Sequence, residues 1–258
     1  MVAVYEVDPY PRTPEQILDP GPQPEARRPR AQRKRTRARV EADQGTVIEQ
    51  AFAEALRRDP DQTMRWVVLT DGHEDLLRQA AAAAKRYKIE ILVVQDFVHV
   101  LEYLWNAAYA LHPQDGEERE SWVMHRATAV LEGRAQDVAV GLRRAATRKQ
   151  LSQNERKAVD KAADYLANNR ERLQYDHALA HGLPITTGVI EGACRHLVKD
   201  RMDITGARWG LVCAEAILKL RSLKVSGDLP DYLAFHFEQE HTRNYLQPPV
   251  PLAQREAA

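Results

Sequence analysis

Hydrophobic and polar positions along the chain fall into stretches of two different periods. The opening "MVAVYEV" alternates and is rich in Val, which predicts a strand starting almost at the first residue. The next stretch, "DPYPRTPEQILDPGPQPEARRPRAQRKRTRARVEADQG", holds much of the chain's proline and predicts no long regular element. Helical spacing begins at "TVIEQAFAEALRRDP", where Val47, Ile48, Ala51, Phe52 and Leu56 share a face. Thr46, with Glu49 three residues on, has the form of a capping box at its start. Then "MRWVVLTDG" predicts a buried strand ending in a turn, "HEDLLRQAAAAAKRY" an Ala-rich helix, and "IEILVVQD" a second continuous apolar strand. Strand, helix and strand joined by a crossover of this length predict a parallel pair with covered faces, hence an α/β core.

From Phe97 to about Gln174 the period is wholly helical, through "FVHVLEYLWNAAYALH", "SWVMHRATAVLEG" and "NERKAVDKAADYLANNRERL". After "HGLPITTG" comes a helix bearing Glu191, and "AEAILKLRSLKVSG" and "DYLAFHFEQEHTRNYL" close the chain as helices. The expected divisions are a residual strand over 1–8, a flexible Pro-rich basic arm over 9–45 and an α/β unit over 46–96. A helical insertion follows over 97–183, then C-terminal helices over 184–246 and a disordered tail over 247–258.

Composition changes this picture in two places. With 258 residues, 44% of them hydrophobic, the chain can bury one substantial core or two modest ones. Its net charge of zero argues against a uniformly basic nucleic-acid binder, yet residues 27–39 carry eight Arg or Lys and no acid. Such a segment is either a solvated disordered arm or a phosphate-binding tail. Cys194 and Cys213 are too few for a disulfide framework. No apolar run of membrane-spanning length and no signal-peptide core is visible, so a soluble, reducing, intracellular setting is expected.

Three acids are placed where chemistry gathers. Asp71 and Asp96 end the two apolar strands, and ligand sites of open α/β sheets gather at such carboxyl ends. Glu191 lies on the helix after the insertion. Hard carboxylates without Cys or His in ligand spacing suit Mg²⁺, which keeps several waters and takes one or two carboxylates plus substrate phosphates. Each acid also has a plainer reading: Asp71 before Gly72 as turn chemistry, Asp96 before Phe97 as a helix cap, and Glu191 with Arg195 as a surface i,i+4 pair. His99 is read as a core or supporting residue near the acids, Trp105 and Trp209 as packing anchors, and Cys194 as a small buried hydrophobe.

Taken together, "VVLTDGHEDLL", "VVQDFVHVLEYLW", "TTGVIEGACRHLVKDRMDITGARWG" and "FHFEQEHTRN" resemble the transposases of the Kra family of bacterial insertion sequences. The resemblance runs from Met1 to about Asn244 and implies a DDE enzyme with a ribonuclease-H-like core. Such a core is a mixed sheet in which three antiparallel strands lead into parallel ones, with a helical insertion between the second Asp and the Glu. It implies that Asp71 and Glu191 hold Mg²⁺, with two ions in the intact enzyme and Mn²⁺ as a substitute. Asp96, which opens a D-x-x-H motif with His99, is implied beside the site. The implied partner is DNA, both element ends and target, met by Arg195, His196, Lys199, Arg201 and Arg208 after Glu191 and by Arg33, Lys34, Arg35 and Arg37 of the basic arm. Gly206 and Trp209 would shape and anchor the turn that follows.

The resemblance also implies homo-oligomers, or mixed oligomers with an intact transposase, and a place in the bacterial cytoplasm at the nucleoid, without a membrane. One departure bears on activity: "MVAVYEV" resembles the strand that follows the one carrying the first acid, and Asp8 in the turn sequence "VDPYP" is a poor substitute. The expectation is therefore a C-terminal portion with little or no strand transfer alone and with an unpaired strand edge. The alternatives are a DNA-binding remnant that modulates an intact transposase, or an unproductive pseudogene product.

Overall fold

Strand pairing divides the sheet structure into two separate pairs. In the computed structural model, which describes residues 1–19, 29–114, 116–204 and 206–246, β1 (Val2–Glu6) runs antiparallel to β2 (Gln32–Arg37). Val2 lies opposite Arg37 and Val4 opposite Arg35, with a register shift before Glu6. β3 (Trp66–Thr70) and β4 (Ile91–Gln95) form a parallel pair, from Trp66 opposite Ile91 to Thr70 opposite Gln95. Most other described residues are helical, so the chain is a mostly helical α/β structure. Among the described residues no helix is long and apolar enough to cross a membrane. The expected tail over 247–258 and the basic residues Arg27 and Arg28 lie outside the described residues.

The parallel pair is built as its apolar runs predict. Side chains alternate across a strand, so Trp66, Val68 and Ile91 pack on one face against α2 (Gln44–Arg58) and α3 (Glu74–Tyr87), around buried Phe52, Ala80, Ala83 and Ala84. Val67, Leu69, Leu92 and Val94 point the other way, into the large core. That core is formed by α4 (Phe97–Leu111), α5 (Gly116–Leu131), α6 (Ala135–Arg148), α7 (Gln153–Asn168) and α8 (Tyr175–Ala180). Its centre is sealed by side chains such as Leu104, Leu131, Leu142 and Leu166, and burial of this kind contributes about 1.5–3 kcal/mol per large side chain.

The antiparallel pair overturns the expected flexible arm over 9–45. Residues 32–37 are a strand because acids from elsewhere neutralise their cations. Arg33 pairs with Glu6, Arg35 with Glu54 at 3.2 Å and Asp228 at 3.0 Å, and Arg37 lies 3.9 Å from Glu54. Glu54, 4% exposed on α2, also takes Arg57 and, at 2.7 Å, Arg58. The second edge of β2 is closed by α11 (Leu211–Ser226) in place of another strand. Thr36 N donates to Ser226 Oγ at 3.0 Å, Ala38 N to Ser222 Oγ at 3.3 Å and Val40 N to Glu215 Oε2 at 2.9 Å. Every second amide of an extended strand faces the same edge, and positions 215, 222 and 226 share one face of a helix. A strand can thus be satisfied by the polar stripe of a helix.

The stretch before β2 is also tied down. α1 (Pro14–Leu18) opens with a capping box from Thr13 and Gln16 and lays Ile17 and Leu18 on the large core. Tyr10 N and Arg12 N donate to Gly182 O at 3.0 Å and Leu179 O at 3.2 Å. Gly182 has φ +70, and a Cβ there would stand 2.2 Å from Tyr10 N, so the close approach requires glycine. The start of α2 corrects a smaller expectation. Asp43 is the cap, accepting from Thr46 N at 2.9 Å, since a carboxylate three residues earlier reaches that amide and the helix begins at Gln44.

Candidate functional site

The two strand-end acids are neighbours by register. Thr70 faces Gln95 in the parallel pair, so Asp71 and Asp96 leave the sheet side by side, and Asp96 N donates to Thr70 O at 2.8 Å. Their surroundings differ. Asp71 is exposed in a tight turn, where Gly72 (φ +93) donates to Thr70 Oγ1 at 3.0 Å and His73 N donates to Asp71 Oδ1 at 3.2 Å. Asp96 is 2% exposed and caps α4, with Oδ1 accepting from Val98 N at 3.1 Å. Both plain readings, turn and cap, therefore hold as local structure.

Glu191 arrives from α9 (Gly188–Cys194), which follows an extended segment fixed by Phe97 N donating to Ile185 O at 2.9 Å. The residue that joins it to Asp96 is Thr187. Its hydroxyl donates to Asp96 Oδ2 and faces Glu191 Oε1 at 3.2 Å. A buried carboxylate thus orients a hydroxyl, and the hydroxyl orients an exposed carboxylate. Asp71 Oδ2 and Glu191 Oε2 have no partner among the described residues, whereas both oxygens of Asp96 are engaged. Among the described residues no group of three or more His, Cys, Asp or Glu side chains is arranged to hold a metal ion.

Beyond Glu191 the motif helix widens into a π segment over Arg195–Lys199 and ends as α10 (Asp200–Met202). Its apolar side, Ala193 and Leu197 with Val198 and Met202, packs against Ala38 and against Leu218 and Val225 of α11. Arg221 of α11 donates to Leu197 O at 2.9 Å and to His196 O. The opposite side lines an open groove of about 600 Å³ formed by Glu191, Cys194, Arg195, Lys199 and Asp200. Arg195, Lys199, Arg201 and Arg208 are exposed and make no ion pair among the described residues, while His196 lies 3.0 Å from Asp200. The plainer reading of Glu191 as a surface pair with Arg195 does not hold, because Glu191 turns toward Thr187. Cys194 is half-buried at the groove, not sealed in the core as expected.

The remaining expected residues divide. His99 lies 3.5 Å from Glu102 and is substantially exposed, beside Tyr103, so its partner is a surface acid on its own helix. Trp209 is half-buried with Nε1 lacking a partner, and Trp105 packs on the large core as an anchor. Of the four basic-arm cations expected to meet DNA, Arg33, Arg35 and Arg37 are taken up by acids, while Lys34 makes no ion pair among the described residues. Three residues of the site were not singled out from sequence: Thr187, Gln95 and Tyr165. Gln95 is fully buried, and its Nε2 donates to Tyr165 Oη at 2.9 Å. Burial holds the Tyr165 phenol up at about 12. The only signals available were a polar residue inside an apolar run and a second Thr in "TTG". Comparison with protein-family models, with curated proteins and with solved structures gives no match for the chain.

Proposed function

We propose that the chain is a DDE-type transposase polypeptide of the Kra family, acting on DNA in the bacterial cytoplasm, with Asp71 and Glu191 as Mg²⁺ ligands and Asp96 as the buried neighbour that orients Glu191 through Thr187. The observation that carries this reading is the Asp96–Thr187–Glu191 bridge. It brings an acid from beyond a helical insertion to the end of a parallel strand pair that already presents Asp71. The two strand pairs are separate sheets, so the ribonuclease-H-like part of the reading rests on the motif resemblance and not on the sheet topology.

In this reading the groove cations Arg195 and Lys199, with Arg201 and Arg208, approach the phosphate backbone, and Glu191 at the groove's edge faces the phosphodiester. A bound Mg²⁺ would polarise the phosphoryl oxygen and ease deprotonation of the attacking water or 3′-hydroxyl. The protein's own part is to orient Glu191 through Thr187 and Asp96 and to position the strand. A role for Arg33, Arg35 and Arg37 in DNA contact is not part of the proposal, since their charges are already paired.

Mn²⁺ binding to the whole chain tests the reading. Asp71→Asn and Glu191→Gln should each weaken it by an order of magnitude or more, as expected for removing one of two ligands. In parallel, Lys199→Ala should lower the salt slope of duplex DNA binding by about 0.9. Mn²⁺ binding that is undetectable, or indifferent to both substitutions, would sink the assignment.

A further inference from the structure

Between the two strand ends stands a side chain whose every donor is used. Gln95 Nε2 has two hydrogens; one goes to Tyr165 Oη at 2.9 Å and the other to the Asp71 carbonyl at 3.4 Å. The backbone of the same residue is held from the same direction, with Tyr175 Oη donating to Gln95 O at 2.9 Å. Both tyrosines belong to the helical unit, on α7 and α8. Tyr165 is itself fixed by stacking on Tyr103 of α4, with ring centroids 4.0 Å apart and 20° between planes. Across the turn, a Cβ on Gly72 would stand 1.9 Å from Gln95 Nε2, so the turn backbone lies directly against the amide.

We infer that Gln95 and Tyr165 form a latch through which the helical insertion sets the position of the Asp71–Gly72 turn relative to Asp96. Asp71 is exposed and its turn has few local restraints, the Thr70 and Asp71 side-chain bonds to the next amides. Strand register and the Asp96 N–Thr70 O bond at 2.8 Å set where the turn starts beside Asp96, and the latch holds the Asp71 carbonyl, one residue further on, against the strand end. Gln95 precedes Asp96 directly, so one buried amide is covalently next to one acid and hydrogen-bonded to the residue that carries the other. Tyr165 Oη is the acceptor in this bond, so the latch does not depend on the phenol's proton. Gln95 and Tyr165 are positioning residues; any consequence for metal binding rests on the reading of Asp71 and Glu191 given above.

Tyr165→Phe tests this with the ring stack retained. Amide exchange measured by NMR on the whole chain should rise about tenfold at Gly72 and His73, the factor expected for one lost hydrogen bond. The side-chain amide resonances of Gln95 should move, and exchange at Thr36 and Ala38 should stay as in the wild type. Gly72→Ala approaches the latch from the turn side and should displace the same Gln95 resonances. Unchanged exchange at Gly72 and His73 in Tyr165→Phe, or a rise shared equally by Thr36 and Ala38, overturns the latch. Mn²⁺ titration of the same samples separates the two ideas. Wild type that binds Mn²⁺ about tenfold tighter than Tyr165→Phe supports latch and metal reading together. Wild type that binds none defeats the metal reading and leaves the exchange result to decide the latch.

Discussion

β2 and β4 are strands of nearly equal length held by opposite means. β4, "ILVVQ", is covered on both faces by apolar side chains and pairs along its length with β3, only about twenty-five residues before it in sequence. β2, "QRKRTR", has no apolar side chain at all. Its order comes from Glu6, Glu54 and Asp228 against its cations and from Ser222, Ser226 and Glu215 around its backbone. The hydrophobic effect needs only area, so a strand like β4 forms wherever two faces can be covered. Hydrogen bonds and ion pairs need particular atoms at particular distances, so the order of β2 depends on where α2 and α11 place theirs.

That contrast can be broken by three substitutions. Val94→Asp puts an unpaired carboxylate into a 3%-exposed position of the large core and should cost more than about 4 kcal/mol, abolishing a cooperative melt by circular dichroism. A melt close to the wild type would mean that the face is not sealed. Glu215→Gln comes next. The amide of Val40, and after it Arg39 and Glu41, hold this carboxyl down at about 2 from the ordinary 4.5. A depressed carboxyl stabilises the fold above its unfolded-state value and loses that contribution as pH falls toward 2. The substitution should therefore cost about 1–3 kcal/mol at pH 7, and the difference from wild type should close between pH 4.5 and 2. Amide exchange should rise at Thr36, Ala38 and Val40 and not in β3 or β4; an equal rise in both pairs would show one cooperative unit. Ser226→Ala is the mildest, at about 1 kcal/mol for one acceptor lost from Thr36 N.

The same contrast explains what the sequence disclosed. β3, α3, β4 and the run of helices from Phe97 were legible because apolar period alone decides them. β2 was hidden because nothing within "RAQRKRTRAR" indicates partners almost two hundred residues away, and cations without local acids look like a solvated arm. At the site, Asp71, Asp96 and Glu191 stood out as acids at informative places. Thr187 did not, since a hydroxyl shared between two carboxylates depends on how α9 meets β4. Gln95 lay in plain view as the polar end of an apolar run, and its two donors become meaningful only with Tyr165 and the Asp71 carbonyl beside it.

The π segment at Arg195–Lys199 acts as a phase correction in a screw. In an unbroken α-helix Asp200 would stand about 180° around the axis from Glu191, nine residues at about 100° each. The widened turn takes up one residue and brings Lys199 and Asp200 back to the groove that Glu191 and Arg195 begin. The motif is therefore a matter of length as much as of composition: removing one residue there would keep every charge and turn the later ones away from the earlier.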